Sequence, residues 1–152
     1  MAKTASEAGL RTSLRVSLTR RVRFTAEHRY YREDWSPEEN ARVFGRAAKP
    51  AFHGHDYLCD VTVSGTVDEP SGMLIDLAAL DDVLSSEVRD RFDGHRINLD
   101  VPEFRDGGLV PSCEKLAGFL FDKIQAALGG RALVESVVVR ESDTLSAEVR
   151  RR

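Results

Sequence analysis

The chain has 152 residues, 41% of them apolar, and 22 basic against 25 acidic side chains give a formal net charge of −3. That length and apolar content suit one domain with a real core, and the near-balanced charge gives no electrostatic reason to expect nucleic acid or an anionic membrane as a partner. No stretch of about 18 apolar residues could span a bilayer, and residues 1–10 lack the apolar core of a signal peptide, so a cytoplasmic protein acting on a small molecule is expected.

Residues 1–13 are small and polar without a period, and are expected to form a flexible leader ahead of a single domain over 14–152. Leu14, Val16 and Leu18 alternate with polar residues, and Val22 and Phe24 continue the set at period two, predicting a long first strand that reaches His28. Ser36-Pro37-Glu38-Glu39 is a capping box with proline at the first helical position, predicting a helical turn over 38–43. Tyr57, Cys59, Val61 and Val63 alternate on a second strand after His55, and residues 65–72 form a turn-rich link. Asp76 can cap a helix with Leu77, Leu80, Leu84 and Val88 on one stripe and Arg89 and Arg91 late, complementing the dipole. Pro111-Ser112 opens a second helix with Leu116, Phe119, Leu120, Ile124 and Leu128 on one face, closed by Gly129-Gly130. Residues 134–139 and 145–149 read as a closing pair of strands. The predicted fold is therefore α+β, in the order β-β-α-α-β-β, with a four-stranded antiparallel sheet carrying two helices on one face. Open sheet edges must be covered, charged or paired; oligomerisation is the simplest remedy, and a monomer with charged edges is the alternative. Cys59 and Cys113 are too few for a disulfide scaffold and read as free thiols.

The chemistry concentrates in His53-Gly54-His55, with His28 upstream. Residues at i and i+2 of a strand share a face, so His53 and His55 can converge on one ion while Gly54 points away. His28, at the end of the neighbouring strand, is the natural third ligand. Three imidazoles leave zinc one open tetrahedral position, the pattern of a catalytic site. The spacing alone also allows a metal-free pair of histidines in a turn.

The segment from about Val22 to Val149 resembles the 6-pyruvoyl tetrahydropterin synthases and their bacterial relatives, the 6-carboxy-tetrahydropterin synthases of queuosine synthesis. The matching pieces are Phe24-Thr25-Ala26-Glu27-His28, Glu38-Glu39-Asn40 leading to Val43-Phe44-Gly45, and His53-Gly54-His55-Asp56-Tyr57. Residues 65–73, Asp76, residues 93–98, Ser112-Cys113-Glu114 and Val139-Arg140-Glu141 follow in the family's order. The resemblance implies the tunnelling fold, with trimers closing a barrel and two trimers stacking into a homohexamer. It implies Zn2+ on His28, His53 and His55, acting as a Lewis acid on the substrate side chain, with Glu141 gripping the pterin and Ser112 and Cys113 beside it.

Two departures qualify what it implies. The family's catalytic cysteine falls at Ala47, which cannot accept a proton. The family's adjacent Asp-His pair is here split as Asp93-Gly94-His95. Two readings follow. One is a lyase on 7,8-dihydroneopterin triphosphate or a related pterin, with His95 as base supported by Asp93. The other is a zinc-containing pterin-binding homologue without the synthase reaction or with a different substrate. Arg46 and Lys49 are candidates to meet a triphosphate.

Overall fold

Strand β1 (Val16–His28) and strand β2 (His53–Gly65) pair antiparallel along their whole length, with Phe24 opposite Tyr57 and His28 opposite His53. The computed structural model describes residues 15–48, 51–105 and 107–152; the expected leader, the expected strand start at Leu14, and Lys49 lie outside them. The period-two pattern explains the pairing: Val22, Phe24, Ala26 and His28 face the core from β1, and Tyr57, Cys59, Val61 and Val63 from β2. Polar residues on the other face form cross-strand pairs. Arg21 lies opposite Asp60 and donates two hydrogen bonds of 2.7 and 2.8 Å to its carboxylate, and Thr19 bonds Thr62.

Between these strands, helix α1 (Pro37–Phe44) begins at Ser36, whose hydroxyl accepts from Glu39 N–H, and runs into a 3₁₀ turn over Gly45–Ala47. Helix α2 (Leu77–Leu84) is capped by Asp76 and continues through a π turn at Ser85–Arg89 into Asp90–Phe92. Strand β3 (His95–Arg96), the short helix α3 (Ile97–Asp100) and a 3₁₀ turn at Pro102–Phe104 follow. Helix α4 (Cys113–Leu128) starts at Ser112 and ends at Gly129, whose φ of 58° needs a residue without a Cβ. Strands β4 (Leu133–Arg140) and β5 (Ser146–Arg150) close the chain as an antiparallel pair.

The sheet order is β3-β1-β2-β4-β5. The α+β class stands, but the sheet has five strands where four are expected, and it is mixed because β3 runs parallel to β1. The reason the pattern misses β3 is its length: two residues carry no alternation. What holds it is a clamp on Thr25, whose N–H donates to Asp93 Oδ1 (2.8 Å) and whose carbonyl accepts from Gly94 N–H (2.7 Å). Gly94 makes that turn at φ 74°. Among the described residues there are four helices: the expected turn over 38–43 is α1, the two expected sheet-covering helices are α2 and α4, and the short α3 is the addition.

One apolar cluster, from Val22 through Leu80, Phe92, Leu116, Leu120 and Ile124 to Val139, joins the helices to one face of the sheet. Phe24 stacks on Tyr57 at 4.8 Å and tilts against Phe92 at 5.4 Å, linking both long strands to α2. Cys59 and Cys113 are free and buried, matching the expected unpaired thiols.

Candidate metal centre and adjoining cleft

The end of the β1–β2 ladder places three imidazoles together. His28 and His53 are directly opposed and His55 lies two residues along, so all three project from the core face at its margin. His28 is fully buried, His55 half-buried and His53 exposed. His28 Nε2 lies 3.0 Å from His53 Nε2. With Glu141, their ligand atoms all fall within 4.8 Å of one another.

The orientation of His28 is fixed from behind. Its Nδ1 donates to the carbonyl of Pro111 at 2.8 Å, with the Tyr57 hydroxyl at 3.3 Å, so Nε2 carries the lone pair and faces the other imidazoles. Burial, followed by the nearby imidazoles, lowers its pKa to about 4 despite the Pro111 bond, which opposes the shift. At neutral pH it is an uncharged donor, the form a metal requires. Burial also lowers the pKa of His55, with Glu141 pulling the other way. The donor set therefore fits a tetrahedral ion such as zinc: nitrogen ligands, one fixed tautomer, and a carbonyl oriented behind the buried histidine.

Glu141 lies two residues beyond Val139 and so continues the inward face of β4 past the strand's end, held by its N–H donating to Leu145 O at 3.0 Å. It is only 8% exposed. Its Oε1 lies 3.2 Å from His55 Nε2 and 4.0 Å from His28 Nε2, whereas Oε2 is buried without a hydrogen-bond partner. The same carboxylate lines a cleft of about 460 Å³ with Tyr30, Arg46, Ala47, Ala51, Phe52, His53 and Leu145. That volume is in the range of small-molecule sites. Ala47 thus sits in the cleft wall, where its methyl group offers no proton acceptor.

The other expected site residues are dispersed. Ser112 is engaged as the helix cap, its hydroxyl accepting from Lys115 N–H at 3.2 Å. Cys113 is buried with its thiol donating to Val139 O, and burial and then Glu141 raise its pKa. His95 lies opposite Ala26, which is itself opposite His55, so His95 and His55 are two strand spacings apart, about 10 Å. Asp93 does not support His95 as expected: its Oδ1 accepts from Thr25, and His95 Nδ1 is buried without a partner. The glycine between them sends the two side chains to different neighbours.

Several contributors escape sequence reasoning. Tyr57 was legible, since it continues the His53, His55 alternation. Pro111 acts through its carbonyl, which no pattern of side chains reveals. Tyr30 enters the cleft from the irregular segment after β1, and burial, then Glu141, pushes its pKa up to about 12, keeping the phenol a donor. Two buried asparagines shape that segment: Asn98 bonds both the N–H and the carbonyl of Arg29, and Asn40 bonds Arg32 N–H and the carbonyls of Arg32 and Ser36.

Comparison with known proteins gives one consistent answer. The family model described as 6-pyruvoyl tetrahydropterin synthase matches residues 17–152. The 6-pyruvoyl tetrahydrobiopterin synthase of Homo sapiens is 36% identical over 126 residues, covering 83% of this chain and 85% of that protein. The Dictyostelium discoideum protein of the same name is 35% identical over 113 residues, covering 74% and 81%. The solved structure of Caenorhabditis elegans 6-pyruvoyl tetrahydropterin synthase superposes with a TM-score of 0.82 at 29% identity, covering 91% of this chain and 97% of that one. The chain belongs to the 6-pyruvoyl tetrahydropterin synthase family.

Proposed function

We propose that this protein is a zinc-dependent carbon–oxygen lyase of the tetrahydropterin synthase type, acting on 7,8-dihydroneopterin triphosphate or a related pterin and working as a homohexamer in the cytoplasm. The observation that carries the reading is the convergence of His28, His53, His55 and Glu141 at the wall of the cleft. Relatives named for tetrahydropterin synthesis support a lyase-type activity. Among the described residues no helix is long and apolar enough to cross a membrane.

In this reading His28, His53 and His55 hold the ion. Zinc bound there supplies Lewis-acid polarisation of the substrate's side-chain oxygens. Pro111 holds the His28 tautomer. Glu141, with an unpartnered oxygen at the cleft, accepts N–H groups from the amino-pyrimidinone edge of a pterin. Cys113 and Ser112 shape the ground behind that carboxylate. His95 is the only imidazole of the four outside the ligand set and takes the role of base, with Asp93 holding its strand in place through Thr25.

A second reading, a pterin-binding homologue without synthase turnover or with another substrate, is favoured by Ala47 in the cleft wall and by Asp93 bonding Thr25 while His95 Nδ1 stays without a partner. Zinc-loaded protein incubated with 7,8-dihydroneopterin triphosphate, beside an Ala47→Cys variant, separates the two by mass spectrometry of the pterins. Product from the natural chain is the expected result. Bound, unchanged substrate with turnover only in Ala47→Cys establishes the second reading instead.

A further inference from the structure

We infer that Glu141 is a fourth protein ligand of the metal, closing the site in the ligand-free protein and leaving it when a pterin draws the carboxylate into the cleft. The inference rests on the three-imidazole metal reading and changes its consequence: the open coordination position is created by the incoming ligand.

Bonds of about 2.0–2.1 Å from a tetrahedral ion place its donors about 3.3 Å from one another. Three of the six separations bracket that value, 3.0 Å between His28 and His53, 3.2 Å between His55 and Glu141 Oε1, and 4.0 Å between His28 and that oxygen, and all six fall within 4.8 Å, so a small inward shift of the side chains brings the set onto one ion. A carboxylate holding only a metal-bound water would stand back by roughly another 2.7 Å. The short approach to His55 is not a hydrogen bond either. His55 Nε2 is buried without a hydrogen-bond partner although Oε1 lies beside it. The nitrogen and the carboxylate oxygen are thus adjacent with no hydrogen bond between them.

Charge leads to the same place. A carboxylate 92% removed from solvent needs a cation, and among the described residues no arginine or lysine forms an ion pair with Glu141; its only ion-pair neighbours are His28 and His55. An ion between them supplies the missing positive charge. Ala47 offers no competing donor.

Gripping a pterin edge with two parallel N–H bonds uses both carboxylate oxygens, and ligating the ion uses Oε1. Glu141 cannot do both in full. Pocket occupancy is thereby coupled to the opening of the Lewis-acid position, which guards the ion from adventitious ligands until a pterin is seated.

The test is cobalt substitution, whose visible bands report coordination without any need for turnover. Co2+-loaded native protein, Glu141→Gln, Glu141→Asp and His53→Ala are compared by spectrum and by competition with a chelator. Loss of the carboxylate ligand is expected to change the Glu141→Gln bands and to weaken metal binding by at least about tenfold. Native bands and native affinity in Glu141→Gln, with binding abolished in His53→Ala, overturn the inference and leave the three-imidazole reading standing. Unchanged binding in His53→Ala overturns that reading as well. Should Glu141→Gln fail to fold, Glu141→Asp decides: its carboxylate is one methylene too short, so shifted bands support ligation and native bands refute it.

Discussion

Asn98 reaches across from α3 to the residue that follows His28, and its removal should loosen the end of β1 that carries that histidine. Its Oδ1 accepts from Arg29 N–H at 2.9 Å and its Nδ2 donates to Arg29 O at 3.0 Å, so one side chain acts as a strand partner for one residue. Each bond is worth about 0.5–1.5 kcal/mol net, and the half-buried Arg29 backbone recovers part of the loss from water, so Asn98→Ala is expected to cost about 2 kcal/mol. For a chain of this size that lowers Tm by about 4–8 °C. Urea unfolding of the metal-free protein measures it, with an unchanged m-value required. Asn98→Asp separates the bonds from the shape. It keeps the acceptor but turns a carboxylate oxygen toward Arg29 O, so at pH 7 it should cost at least as much as alanine. The carbonyl disfavours the charged form and raises the folded pKa above the unfolded value of about 3.9, so the penalty is full at neutral pH and shrinks as pH falls toward that value. A loss below about 0.5 kcal/mol for alanine, or a milder aspartate at pH 7, would refute the latch.

Burial pushes the Cys59 thiol up to about 12 and raises that of Cys113, so neither should react with a disulfide reagent at pH 8 in the native protein, while both should titrate in urea; a fast native thiol contradicts the packing. Ser112→Ala removes the cap of α4 and should cost about 1 kcal/mol in the same unfolding assay, with metal affinity retained because Pro111 O remains in place. The Asp60 carboxyl is held below its ordinary range, first by its hydrogen bond from Arg21. Its contribution is therefore present above the unfolded carboxyl pKa and lost as pH falls through the folded one. Arg21→Ala should be less stable than the native chain at pH 7 and should converge with it in acid, and a pH-independent difference would assign the loss to packing instead.

The legible parts of this chain are those in which a side-chain period meets a buried face. The β1 and β2 alternations, the Ser36, Asp76 and Ser112 caps and the His53, His55 spacing all obey local rules, and each is where those rules place it. What local rules miss is made by backbone groups and by single residues in irregular chain. Strand β3 depends on a clamp at Thr25, the His28 tautomer on a proline carbonyl, and the approach to the cleft on Asn40 and Asn98. Glu141 is the instructive case. Near a strand end it looks like an ordinary exposed glutamate, yet the alternation Val137, Val139, Glu141 already puts it on the inward face, and only the three-dimensional return of β4 beside β2 brings it to the imidazoles. A carboxylate committed to the core face in the primary sequence needs a partner there, and in this fold its oxygen lies beside His55 and His28, where the strand ends converge.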